Sequence, residues 1–213
     1  MPVQPSSRIF VSGLAVWIRK NACTTREIHI GENSGLRTVT ETVIDENGTF
    51  HVTCLPESSF VLLVLYGEIL IGSSGQKLFS GQFFTLKTGK IKELTLKNNL
   101  QEEKADVLIL EMITTGAEES SAAGEITFPE RNILLPLCSH AGYPGFIGLY
   151  DGRKEGIYTV SQKNRSVFGM VINGAFELQN RLLETRDALL MAEAETIEFE
   201  ALSENALLIL LEA

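Results

Sequence analysis

From residue 166 onward, short apolar runs alternate with polar breaks. Val167, Phe168, Met170, Val171 and Ile172 form an apolar run that stops at Asn173-Gly174, a pair suited to the positive-φ positions of a tight turn. Residues 175–179 then alternate, with Phe176 and Leu178 set against Glu177 and Gln179. A polar break at 184–187 is followed by an apolar run at 188–191. A second alternation at 196–201 (Ile197 and Phe199 against Glu198 and Glu200) leads to a fully apolar run at 206–211. A period of two, broken by turn residues, predicts short antiparallel strands.

The same order of events occurs once earlier. The apolar run 59–71 breaks at Tyr66-Gly67, where the later copy has Asn173-Gly174, and 78–86 carries Gly81-Gln82 where the later copy has Arg186-Asp187. Residues 91–96 correspond to 196–201, and 105–111 to 205–212. One β-module given twice predicts a duplicated fold. Ahead of the first copy, strands are expected at 9–11, 14–18, 27–31, 36–44 and 49–55, with Asp45-Glu46-Asn47-Gly48 as a hairpin turn. Residues 97–105 read as a loop or a single helical turn. Residues 114–124 (Thr-Thr-Gly-Ala-Glu-Glu-Ser-Ser-Ala-Ala-Gly) are small, polar and without apolar period, and read as a flexible linker. The expected division is a first domain over 8–113, this linker over 114–124, and a second domain over 125–213.

Two stretches carry a family resemblance. Gly145-Phe146-Ile147-Gly148-Leu149-Tyr150-Asp151-Gly152-Arg153-Lys154-Glu155-Gly156, with 174–183 (Gly-Ala-Phe-Glu-Leu-Gln-Asn-Arg-Leu-Leu), resembles the C-terminal cupin of pirin and quercetin-dioxygenase-like proteins. The resemblance implies an all-β chain of two tandem cupin (RmlC-like jelly-roll) barrels, a pirin-like bicupin. It spans 126–213 by motif and 8–113 by the order of strands.

The same resemblance implies a divalent metal held by three histidines and a glutamate inside the barrel, a donor set that replaces the hydration of the ion. Counted from the turn glycines, the glutamate position of the first module falls on Phe60, and its histidine pair on Thr53 and Leu55 or on Cys54 and Pro56. The last histidine falls on Phe84. In the second module the same positions fall on Val167, on Val160 and Gln162 or Ser161 and Lys163, and on Leu189. None is histidine or glutamate, so no metal, no cofactor and no catalytic residue is expected. The expected function is that of a metal-free bicupin binding a small molecule or a protein. The alternatives are a divergent quercetinase-like dioxygenase and a metal-independent cupin isomerase.

The chain has three histidines, His29, His51 and His140. His51 and Thr53 share one face of the strand expected at 49–55, His140 lies in an expected loop, and Tyr158 and Gln162 are placed to line the second barrel. These five are the candidate ligand-binding residues. His29 is expected to be an ordinary strand position and Trp17 a core residue. Cys23, Cys54 and Cys138 are odd in number and widely spaced, which argues against a disulfide framework. Sequence signatures of nucleotide, phosphate and serine-hydrolase sites are missing from the chain.

Charge narrows the partners. The net charge is −9; residues 1–113 carry 11 basic and 12 acidic side chains, and residues 114–213 carry 7 and 15. An acidic second half repels phosphate backbones and anionic lipid, so neither nucleic acid nor a membrane surface is an expected partner. No apolar stretch reaches the ~20 residues of a spanning helix. A cytoplasmic protein is expected, either a monomer or a homodimer extended through the apolar strands at 61–65 and 207–211.

Overall fold

The computed structural model describes residues 6–31, 35–72, 74–89, 91–114, 118–138 and 144–212. Strand β1 (Ser7–Phe10) comes first. A barrel follows from β2 (Ile18–Lys20), β3 (Cys23–His29), β4 (Leu36–Ile44), β5 (Thr49–Thr53), β6 (Ser58–Tyr66), β7 (Glu68–Ile71), β8 (Gln76–Phe79), β9 (Gln82–Lys87), β10 (Glu93–Asn98), β11 (Ala105–Ile113) and β12 (Ser120–Glu125). A second barrel contains β13 (Leu135–Cys138), β14 (Gly145–Tyr150), β15 (Glu155–Thr159), β16 (Val167–Asn173), β17 (Ala175–Leu178), β18 (Arg181–Glu184), β19 (Ala188–Met191), β20 (Thr196–Ala201) and β21 (Ala206–Glu212), together with β1.

Each barrel is a large and a small antiparallel sheet closed over one apolar core. In the first, the large sheet runs β12-β9-β6-β11-β4-β3-β2 and the small one β5-β10-β7-β8. In the second, the large sheet runs β1-β19-β16-β21-β14-β13 and the small one β15-β20-β17-β18. The two orders superimpose strand for strand from β4–β11 onto β14–β21, so the duplication read from the sequence is a duplication of topology.

The turn glycines move the chain between sheets. Gly67 and Gly174 have φ of +83° and +81°, a region that L side chains rarely adopt. At both corners the chain leaves the large sheet for the small one. A Cβ on Gly67 would meet the Lys104 carbonyl at 2.8 Å and the Ala105 Cα at 3.0 Å; on Gly174 it would meet the Ser203 Oγ at 2.4 Å and the Ala206 Cα at 3.1 Å. The corner therefore requires glycine for its backbone angle and for the close approach of the last strand. Gly81 and Arg186, matched in the two copies, also share positive φ, of +82° and +71°.

The structure departs from the expected division in several places. Strand β1 pairs with β19, Ser7 opposite Met191 and Phe10 opposite Ala188, so the N-terminal strand belongs to the second barrel. Residues 120–125, expected within and just past a flexible linker, form β12, hydrogen-bonded along β9. Their small side chains hid the strand: a Cβ on Gly124 would come within 2.6 Å of the Phe83 ring, so the residue is small because an aromatic lies over it. Asp45 to Gly48 does turn, with the Gly48 amide donating to the Asp45 carbonyl at 2.9 Å. However, β4 and β5 lie in different sheets, and the turn is an arch instead of a hairpin. Residues 99–104 form a loop, held by buried Asn98, whose Nδ2 donates to the carbonyls of Ile44, Asp45 and Glu103. The strands proposed for dimer extension, β6 and β21, have neighbours on both sides, so neither offers a free edge to a second copy. Among the described residues no helix is long and apolar enough to cross a membrane.

The corner geometry gives a first prediction. Gly67→Ala and Gly174→Ala each lower the unfolding free energy by roughly 1–3 kcal/mol, read as a fall in the urea midpoint at unchanged slope. Gly13→Ala, where nothing lies within 4 Å of the added carbon, leaves the midpoint unchanged.

Candidate functional site

Side chains on one face of a strand recur every second residue, and the ladder registers line them up in rows across the large sheet of the first barrel. One row on the inner face runs His29, Thr38, Glu111, Phe60, Leu86. The next runs Glu27, Thr40, Ile109, Leu62, Phe84. Both rows are polar at the β3–β4 end and apolar at the β6–β9 end. The apolar half packs into the barrel core, where Phe60 and Phe84 are 1% and 3% exposed. Over the polar half lies a cavity of about 660 Å³. β2 and β5 are the terminal strands of the two sheets, and the cavity sits between them. Val16 and Ile18 form one lip, and Phe50 and Val52 the other.

Glu111 lies at the floor. Its Oε1 accepts from the Ser58 hydroxyl at 2.7 Å and from Arg37 Nη1 at 3.4 Å, and its Oε2 accepts from the Thr38 hydroxyl at 3.2 Å. Arg37 also donates to the Ser58 hydroxyl oxygen at 2.5 Å. Thr25, Thr38 and Thr40 line the cavity. Thr42, next on the same face and fully buried, has a hydroxyl without a hydrogen-bond partner among the described residues. At the rim, the His51 Nδ1 and a Glu93 carboxylate oxygen are 2.8 Å apart, and His29 Nε2 lies 3.4 Å from Glu27.

Among the described residues the core of the second barrel is filled. Tyr150, Phe176 and Phe199 meet edge to face with centroids 5.3–6.3 Å apart, among the leucines, valines and alanines of the core. Burial pushes the Tyr150 hydroxyl up to about 12. At its end lies Glu212, whose side chain is 0% exposed. It accepts from the Tyr158 hydroxyl at 2.5 Å, from the Ser161 amide and hydroxyl at 2.6 Å each, and from Arg165 at 3.0 Å. Burial alone would raise the pKa of Glu212. The hydrogen bonds from Ser161, Tyr158 and Arg165 together outweigh it and hold the carboxyl below its ordinary value. Tyr158 is pushed up, first by burial and then by its bond to Glu212.

Glu111 and Glu212 are one position given twice. Glu111 stands opposite Phe60 and Glu212 opposite Val167, and Phe60 and Val167 each lie seven residues before the corner glycine. The donors differ. On the facing strand, Tyr158 pairs with Ile197 in the second barrel and Val52 with Leu94 in the first, so Val52 occupies the place of Tyr158. With valine there, the hydroxyl that closes the second barrel is missing from the first, and the space is open.

The structure brings only some of the expected residues together. His51 and Thr53 both line the cavity. Tyr158 belongs to the Glu212 network in the other barrel, Gln162 is exposed on its surface, and His140 lies outside the described residues. His29, expected to be an ordinary strand position, lines the cavity with His51. Trp17, expected in the core, is 42% exposed and covers buried Arg26, which is ion-paired to Glu41. Cys54 is a buried thiol that burial pushes up to about 11, against any reactive role. At the positions that the family resemblance gives to a metal, Phe60, Phe84, Val167 and Leu189 present only carbon to the cores, which does not fit a divalent ion there. Glu111, Glu27 and the threonines of β3 and β4 were missed. Two signals were available: a lone glutamate inside the apolar run of β11, and threonines at every second position of β4.

Two jelly rolls of this topology in one chain define a bicupin. Residues 146–212 match the family described as the quercetinase C-terminal cupin domain. Bacterial pirin YhhW from Escherichia coli, solved in complex with nickel(II), is similar in structure with a TM-score of 0.82 at 13% identity, over 97% of this chain and 98% of that one. GK1651 from Geobacillus kaustophilus gives 0.73 at 12% identity, over 100% and 97%. Quercetin 2,3-dioxygenase from Acinetobacter baumannii gives 0.69 at 10% identity, over 97% and 78%. No curated protein matches the sequence. The chain therefore has the fold of the pirin and quercetinase-like cupins, with the C-terminal cupin of that kind over residues 146–212.

The Glu212 network makes the second barrel sensitive to acid. A carboxyl held below its ordinary value of 4.5 contributes stability that is fully present above that pH and is lost as pH falls through the depressed value. Urea midpoints measured from pH 7 down to pH 3 are expected to fall steeply in the native chain. In Glu212→Gln the fall is shallower, on a stability already lower by roughly 3 kcal/mol at pH 7.

Proposed function

We propose that this chain is a small-molecule-binding bicupin in which the N-terminal barrel holds the ligand and the C-terminal barrel is structural. The observation that supports the reading is the contrast between two copies of one barrel, one filled by an aromatic cluster and closed by Tyr158, the other open over a wall of threonines and carboxylates. A cavity of about 660 Å³ with apolar lips and a few convergent polar groups has the make-up of a small-molecule site. The positions that resemblance gives to metal ligands carry Phe60 and Phe84 in this barrel, which favours binding without a metal over the dioxygenase chemistry named for the Acinetobacter protein.

A second reading has one observation in its favour. The His51–Glu93 pair, 2.8 Å apart, places an imidazole at the rim of the cavity, where a metal-independent isomerase would need its general base. His51→Gln abolishes turnover of a cavity ligand if that reading holds, and leaves binding alone if the chain only binds.

Nile red, a neutral apolar dye, is expected to bind saturably at one site per chain. Thr40→Phe, which fills the cavity from β4, weakens it at least about tenfold, a change of ~1.4 kcal/mol, whereas Gln162→Ala in the second barrel has no effect. Protein purified from medium supplemented with nickel and iron is expected to carry far less than one ion per chain. A stoichiometric metal that supports turnover of quercetin would replace this reading with the dioxygenase one.

A further inference from the structure

In the second barrel, the buried glutamate shows what its position requires. Glu212 is met by two hydroxyls, a backbone amide and a guanidinium, all donors, and three of the four come from Tyr158 and Ser161 at the end of the facing small sheet. Glu111 occupies the same place in the first barrel, and its donors Ser58, Thr38 and Arg37 all reach it from the large-sheet side. Among the described residues no donor comes from the small-sheet side, because Val52 stands where Tyr158 would be and the cavity lies between. Among the described residues Oε2 of Glu111 receives one hydrogen bond, of 3.2 Å, and a carboxylate oxygen has room for at least one more.

The rest of the lining has the same bias. Glu27, one row away on the same inner face, brings a second carboxylate, and Lys20 is the one lysine or arginine among the cavity's described lining residues. Val16 and Ile18 are 77% and 64% exposed although they lie on the inner side of the lip. Apolar side chains left uncovered at the mouth of a cavity mark where an apolar body would rest.

We infer that the cavity takes an amphipathic organic cation: an ammonium head that donates to Glu111 and Glu27, as Tyr158, Ser161 and Arg165 donate to Glu212, with an apolar body under Val16 and Ile18. This inference rests on the binding role proposed for the first barrel and names the class of ligand. An anionic head of the same size is rejected, because it would bring like charge beside the Glu111 and Glu27 carboxylates.

Three probes with one body and different heads test it: naphthylethylamine, naphthylethanol and naphthylacetate, titrated by calorimetry near pH 7. The amine is expected to bind tightest, about tenfold or more ahead of the alcohol, with the carboxylate weakest. Glu27→Gln, at the exposed rim and without consequence for folding, reduces the preference for the amine, and Glu27→Gln with Glu111→Gln abolishes it while Nile red still binds. Equal affinities, tighter binding of the carboxylate, a preference that survives the double variant, or binding of Nile red but of none of the three overturns the inference and leaves the cavity reading standing. Failure of Nile red as well removes both.

Discussion

The structure turns on a carboxylate held at the same place in each barrel. A charge taken out of water must be repaid by donors and an opposite charge, or the group is expelled or neutralised. Glu212 is met completely, and its donors come from both sides of the barrel end, so satisfying the charge also closes the barrel. Glu111 is met from one side, and its barrel stays open. Which barrel has a cavity is thus decided by how the last strand's glutamate is satisfied, and both answers occur in one chain.

Around that choice the two barrels share everything that makes them barrels. Gly67 and Gly174 let the chain pass from large sheet to small where Ala105 and Ala206 press against the turn, and no other side chain fits. Each large sheet gains an extra strand beside the equivalent pair β9 and β19: β12 for the first, β1 for the second. A bare edge there would expose a row of unpaired amides and carbonyls, and the chain covers both with segments from its own flanks. The aromatic economy differs as well. In the second barrel Gly156 admits the ring of Phe199, while at the corresponding pair in the first, Phe50 faces Leu96. One copy has its bulk on the inner strand and the other on the edge strand, where Phe50 serves as a lip.

What could be read from the sequence follows from which forces act locally. Strand positions and the duplication were legible because alternation and positive-φ turns are written within a few residues: Asn173-Gly174 and Tyr66-Gly67 give the corner directly. Partner choice was not. Asp45 to Gly48 has the residues of a hairpin turn and makes an arch, since a turn fixes the reversal of the chain and leaves open which sheet receives the next strand. β12 escaped because its small side chains carry no hydrophobic period, its strand being held by backbone ladders and by the Phe83 ring above Gly124. The candidate site was half legible for a related reason. His51 and Thr53 stand out locally, but the polar wall they face comes from β3, β4 and β11, far apart in sequence and joined only by register. Tyr158 was expected to line a ligand cavity, and its hydroxyl instead donates to a glutamate fifty-four residues on, a pairing that no local pattern encodes.

The equivalence of the two glutamates also changes how the resemblance to metal-holding cupins bears on this chain. The ladder position that resemblance assigns to a metal-binding carboxylate is Phe60 in one barrel and Val167 in the other, and the glutamate that is present lies one strand across, opposite them. There it is already engaged by a cation of the chain itself, Arg37 or Arg165. An arginine is a fixed, planar partner that brings its own hydrogen bonds and leaves room beside it, whereas a metal ion would organise every donor around one point. Holding the carboxylate with arginine and hydroxyls frees the space that a coordination sphere would fill. In the second barrel tyrosine takes that space, and in the first it stays open between Val16 and Phe50.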